Sequence, residues 1–223
     1  MHKALLLFCC LFSVTITNAQ SSFNYVTDYP KIVSQSSDPK STNFYPTLRK
    51  RFVSHDEKLT KDELLALQIG HTRQPAYHPY ADIDVERGIY DLNAQGHFTA
   101  ALELANSYQR RNPLSLMLNL EKSYALSKLN QADSANIYLN KYKLLMGTLL
   151  ASGDGDKNPY FVLSPIDGQI VITRFWQGEL GVMGSGFDKK GNMLDMLDMK
   201  DKATGKTKTY LFHIQHARVT MLK

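Results

Sequence analysis

Two stretches decide how this chain is read: Tyr90–Tyr108, YDLNAQGHFTAALELANSY, and Tyr124–Tyr142, YALSKLNQADSANIYLNKY. Offset by 34 residues, they pair Tyr90 with Tyr124, Leu92 with Leu126, Ala101 with Ala135, Asn106 with Asn140 and Tyr108 with Tyr142. Gly96 meets Asn130 at the same offset, and both residue types suit the tight left-handed turn that links two helices. From Val85 to Leu150 the apolar residues recur at helical spacing throughout. The region therefore reads as helical hairpins, with Ala101 and Ala135 as small residues where helices cross and Pro113 where one unit ends.

A 34-residue period of helical hairpins is the tetratricopeptide-like signature, and two units fit between about residues 85 and 150. Upstream, Thr60-Lys61-Asp62-Glu63 is a capping box that opens a helix carrying Leu64, Leu65, Leu67 and Ile69, with Gly70 expected to close it. Phe44, Leu48 and Phe52 recur at four-residue spacing behind Pro46, which predicts a short amphipathic helix. Residues 20–43 read as an arm and linker. Phe23, Tyr25, Tyr29, Ile32 and Val33 supply an apolar surface to dock, and Ser34 to Asn43 is polar and turn-rich. Between the helices, Pro75 and Pro79 make His71 to Tyr80 an ordered crossing loop, with Tyr77 and Tyr80 to bury.

Downstream of Ser152-Gly153-Asp154-Gly155-Asp156 the pattern changes to strands. The runs Tyr160–Ser164, Gln169–Phe175, Glu179–Met183, Met193–Met199 and Lys208–Gln215 are separated by turns at Asp167-Gly168, Gly184-Ser185-Gly186, Lys190-Gly191-Asn192 and Thr204-Gly205. Short sequential connections predict an antiparallel meander. Helices first and strands last is the segregated α+β layout: a helical region over residues 44–151, capped by an antiparallel β region over residues 152–223 that covers the open end of the repeats.

Of 223 residues, 26 are Lys or Arg and 21 Asp or Glu, a net charge of +5. His2 and Lys3, the apolar run Ala4 to Ile16 and the small residues of Thr17-Asn18-Ala19 read as an export signal over residues 1–19, cleaved before Gln20. Cys9 and Cys10 are the chain's two cysteines, so the mature form would hold no disulfide, thiolate metal site or cysteine nucleophile. Phe8 before Cys9 and Cys9 before Cys10 deny the small residue that a lipid-anchored cysteine needs, so no lipid anchor is expected. A periplasmic or secreted product follows. No stretch after the signal approaches the roughly 20 apolar residues of a membrane span. The remaining positive charge is dispersed, the densest run being Arg49-Lys50-Arg51, which is no nucleic-acid interface.

Several pieces together resemble a family of exported bacterial proteins, found mainly in Bacteroidetes, that is catalogued as a domain of unknown function. They are Phe44-Tyr45-Pro46 with Leu48 and Arg51-Phe52, Leu59-Thr60, Pro75 to Tyr80, Ser152-Gly153-Asp154-Gly155, and Tyr210-Leu211-Phe212. The resemblance implies secretion and a shared architecture, and brings no catalytic residues with it.

Candidate chemistry is sparse. His71, His78, Asp82 and Asp84 combine imidazoles and carboxylates that could hold zinc, but their spacing matches no helical ligand pair, and loop histidines bonded to backbone are the simpler reading. Asp154, Asp156 and Asn158 begin like a calcium loop, which Pro159 and Pro165 then break, leaving a side-chain turn. Gly184-Ser185-Gly186 lacks the outer glycines of a nucleophile elbow. Asp195 and Asp198, three apart on a strand, face opposite sides. Trp176 reads as core. No motif demands a cofactor. The expected function is a protein- or peptide-binding scaffold, with Asn93, Asn106, Lys122 and Asn140 on helix faces and Tyr77 and Tyr80 in the loop as binding residues. The alternative is an extracytoplasmic hydrolase or glycan-related accessory protein using the His71–Asp84 loop.

Overall fold

The computed structural model describes residues 23–222, so the expected signal segment, with Cys9 and Cys10, lies outside the described residues. Helices come first: α1 (Tyr25–Ser36), α2 (Tyr45–Val53), α3 (Lys61–His71), α4 (Pro79–Ala94), α5 (Phe98–Arg111), α6 (Leu116–Lys128) and α7 (Ala132–Ala151). Then follow β1 (Tyr160–Phe161), α8 (Asp167–Ile170), β2 (Glu179–Phe187), β3 (Met193–Lys200), β4 (Thr207–His213) and α9 (Gln215–Arg218). The architecture is α+β.

The expected arm is a helix in its own right. Asn24 caps α1 by accepting from the amides of Val26 and Thr27, and the helix runs into the stretch expected as linker, to Ser36. Packing supplies what so short a helix lacks alone: Tyr25 and Tyr29 stack on one another with ring centroids 4.9 Å apart and join the main core. The capping box of α3 forms as read, Thr60 Oγ1 accepting from the Glu63 amide at 3.2 Å and Glu63 Oε2 from the Thr60 amide at 2.8 Å. Gly70, however, lies inside α3. A Cβ there would stand 3.0 Å from that of Ser36 and 3.1 Å from that of Tyr45, so the glycine marks where α1 and α2 press on α3. Pro79 opens α4 rather than belonging to the loop, because proline suits a first helical turn.

The 34-residue offset recurs in backbone geometry. Gly96 and Asn130 both take left-handed conformations, with φ of 80° and 59°. His97 N–H donates to the Leu92 carbonyl at 2.8 Å, and Gln131 N–H, 34 residues on, to that of Leu126 at 2.9 Å. Ala101 and Ala135 are both buried at helix crossings. A small core of Ile89, Ala101, Ala105, Tyr108, Leu118 and Ala125 holds α4, α5 and α6 together. The larger core joins α1–α3 and α7 to α8 and the sheet.

The sheet is mixed rather than wholly antiparallel, in the order β1-β4-β3-β2. β2, β3 and β4 form the expected antiparallel meander, while β1 runs parallel to β4, pairing Tyr160 with Phe212 and Phe161 with His213. One expected strand and one expected turn need correction. Gln169–Phe175 is helical: α8 continues directly into a π-helical turn, Val171–Phe175. Ile170, Val171 and Ile172 are all buried, and a short continuous apolar run has no period that separates helix from strand. Gly168 lets this segment lie against the sheet, since a Cβ would stand 2.7 Å from Leu197 Cδ1 and 3.0 Å from Phe212 Cδ2. Gly184-Ser185-Gly186, expected as a turn, sits inside β2 opposite Met196, Asp195 and Leu194. The hairpin turns later, where the Asp188 carboxylate accepts from the amides of Lys190 and Asn192, both at 2.8 Å.

Because Ala101 is fully buried at a crossing, Ala101→Leu should cost about 1–3 kcal/mol, whereas the exposed neighbour Ala100→Leu should stay within about 0.5 kcal/mol. Urea denaturation of both variants measures the difference.

Candidate functional site

The helix-face residues divide into bonded and exposed ones. Asn93 on α4 is buried and donates from Nδ2 to the backbone carbonyl and to Oε2 of Glu121 on α6, each at 2.9 Å. Lys122 is buried as well. Its ammonium donates to Gln109 Oε1 and, at 2.9 Å, to the Tyr138 hydroxyl, and stands 4.1 Å above the Tyr138 ring. Both residues tie helices together. Asn106 and Asn140 are exposed.

In the loop, Tyr77 is buried and donates to the Leu163 carbonyl at 2.6 Å, while Tyr80 is half-buried. His71 is buried, its Nδ1 3.0 Å from the Tyr45 hydroxyl, and burial pushes it down to about 4, so it is neutral. His78 and Asp84 are exposed. Asp82 is buried and receives Arg111 Nη2 at 2.5 Å. These four side chains do not assemble as a ligand set: among the described residues no group of three or more His, Cys, Asp or Glu side chains could hold a metal ion. Asp154 likewise makes a side-chain turn, Oδ1 accepting from the amides of Asp156 and Asn158 at 2.8 and 2.9 Å. Trp176 is half-buried, its ring 4.5 Å from that of Tyr210.

The face of α4 and α6 is covered by the chain's own α8 segment. Ile166, Gln169, Ile170, Thr173 and Arg174 oppose Tyr90 and Met117 across a cleft of about 470 Å³, and the Arg174 guanidinium sits 5.0 Å over the Tyr90 ring. Deeper in the molecule lies a buried acidic network. Glu86 Oε1 accepts from the Tyr108 hydroxyl at 2.9 Å and from Ser115 Oγ at 2.6 Å, while its Oε2 is buried without a partner. Asp167, the first residue of α8, takes the amides of Leu163 and Ser164 on Oδ2, both at 2.9 Å. Burial, then the charge of Asp167, raises Glu86 to about 8; burial raises Asp167 to about 7 against the pull of its two amides.

A second concavity, of about 620 Å³, lies on the sheet face that turns away from α8. Phe23, Leu194, Met196 and Leu211 give it an apolar floor, and Phe187 closes one end. Lys157, Lys189 and Lys190 stand on its rim with Asp156 and Asp188. Asp188 is already engaged by its own turn through Lys190 and Asn192. His213 lines the same groove, buried, with its ring 4.3 Å from that of Tyr25 and its Nδ1 without a partner. Burial drives it down to about 4, with Asp188 pulling the other way. β4 is buried on both faces at its C-terminal end. Phe212 is buried towards α8, and His213 is buried on the other face because α1 covers it. No periodicity in the strand foretells the arm as a second lid, so the sequence reading missed the groove.

The buried carboxyls give stability a pH dependence of fixed sign. Glu86 moves from its ordinary 4.5 to about 8, so between those values the folded state keeps a proton that the unfolded chain has released, and stability falls as pH rises. The histidines His71, His213 and His216, all depressed by burial, act oppositely: stability falls as pH drops below their ordinary 6.5. Glu86→Gln removes the first effect alone, so its stability relative to the parent should rise from pH 5 to pH 8, gaining about 2 kcal/mol or more in urea denaturation at the two pH values.

No curated protein and no solved structure matches the chain. One family does, described as a domain of unknown function, DUF4919, and it matches residues 30–222, from within α1 to the last described residue. Its span takes in every helix from α2 onward, the whole sheet and most of the groove lining. With the match covering nearly the full length of the sequence, this chain belongs to the DUF4919 family.

Proposed function

We propose that this chain is an exported binding module that takes an extended segment of a protein partner on its sheet groove rather than on the faces of its tetratricopeptide-like hairpins. One observation carries the reading: the α8 segment lies over the face of α4 and α6 and narrows it to a smaller cleft, whereas the groove over β3 and β4 is larger, apolar at its floor and rimmed by three lysines and two aspartates. An extended peptide suits a groove that follows strands, its apolar side chains entering the floor. The three lysines outnumber Asp156 and Asp188 on the rim, an excess of one positive charge that favours a partner carrying acidic residues beside the apolar ones. Asn106 and Asn140, exposed on helix surfaces away from this groove's lining, are secondary to it.

Titration with peptides of alternating apolar and acidic residues, followed by NMR of the purified protein, is the test. Saturable shifts at Leu194, Met196 and Leu211 are expected, and Leu211→Lys should weaken binding at least tenfold. Shifts centred on α4–α7 instead, or none with any such peptide, would overturn this reading.

Export rests on residues 1–19 and is tested separately. Protein recovered from the envelope or medium of the native cell should begin at Gln20. An intact Met1 on the folded, functional protein sinks the proposal.

A further inference from the structure

Three of the four most exposed large apolar side chains among the described residues gather on a strand edge. β2 is the last strand of the sheet, and among the described residues no strand pairs with its outer side. It is nine residues long and mostly exposed, with Val182 at 75%, Phe187 at 61% and Met183 at 54% of full exposure. Native edges are commonly blunted by charge, proline or shortness. Between Glu179 and Asp188 this edge carries no charge and no proline. Its irregularity lies between Leu180 and Met183, which leaves Met183–Phe187 as a straight run in regular register with β3.

We propose that this edge pairs with the same edge of a second copy of the chain, antiparallel about Ser185, to join two sheets into one. The straight run is self-complementary in that register. Met183, Ser185 and Phe187 share a face, so each Met183 lies against the Phe187 of the other copy, a thioether beside an aromatic ring, and this contact occurs twice. Gly184 and Gly186 meet on the opposite face, where no side chain obstructs the approach. Charge fits too: Glu179 begins the strand and Lys189-Lys190 follow it, so an antiparallel copy brings the acid of each chain towards the bases of the other. The partner is therefore this chain itself, through an isologous two-fold contact. An edge of this length buries less than a standard interface, so the dimer is weak, half-formed at on the order of 10–100 μM.

Sedimentation equilibrium of the purified protein across that range tests it, with backbone hydrogen exchange as the second readout. Dimer formation and concentration-dependent slowing of exchange at Met183–Phe187 are expected. Val182→Lys/Met183→Lys, at two exposed positions, should raise the dissociation constant at least tenfold with an unchanged melting temperature, and Val53→Lys on α2 should leave it unaltered. A protein that stays monomeric up to about 1 mM, a dimer that survives the double lysine variant, or exchange protection confined to another element would each overturn the proposal. Peptide titration of the monomeric double variant reads the groove independently, so failure of one reading is distinct from failure of the other.

Discussion

The imidazole of His216 is the point on which the rest of the structure turns. Its Nε2 lies 2.6 Å from the Val162 carbonyl, which can only accept, so that nitrogen carries the proton and Nδ1 accepts from the Tyr25 hydroxyl at 3.3 Å. Phe161 stacks on the ring at 4.7 Å. One neutral side chain thus links the first helix, the parallel strand and the last helix of the chain. The charged form would have to reverse the Tyr25 hydrogen bond and be buried with no opposite charge beside it, and burial accordingly drives this histidine down to about 3. Around it the aromatic rings of Tyr25, Tyr29, Tyr77 and Phe161 form the hub on which α1, the proline loop and the sheet converge.

The same economy governs the polar interior. His71, His213 and His216 are held neutral, and Glu86 and Asp167 are pushed towards their protonated forms. Lys141 sits over the Phe52 ring and is lowered to about 8 by burial, then by Lys122. Perturbed groups often mark catalytic centres. Here they are dispersed over the molecule: Asp167 and His216 bond to backbone, His71 to Tyr45, and Glu86 to Tyr108 and Ser115, which is the arrangement of structural polar contacts, and His213 alone of these faces the groove. Asn93 and Lys122 illustrate it: chosen from sequence as helix-face polar residues, they lie inside the packing that sets the helix angles.

What the sequence disclosed follows from where information is local. The hairpins were legible because a period of 34 residues shows itself twice, down to the positive φ of Gly96 and Asn130. The capping box at Thr60 was legible because both of its hydrogen bonds close within four residues. Ile170–Ile172 was not, since its conformation depends on two surfaces, the sheet below and α4 and α6 above, that no local pattern encodes. Gly184-Ser185-Gly186 resembled a turn because glycine permits one, yet the Asp188 carboxylate makes a better turn a few residues later. The groove was hidden for the same reason as α8: its walls come from residues 23–26, 156–159 and 187–213, which only the fold assembles.

The bond between Tyr25 and His216 spans 191 residues of chain. During synthesis it cannot exist until the final helix has been made, so the ribosome releases a polypeptide whose hairpins can form early but whose hub must wait. Sequence-distant closure of this kind slows folding, and leaves a long interval in which the chain is still thread-like. For a protein proposed to cross a membrane before it folds, late closure prolongs the state in which it can still be threaded through.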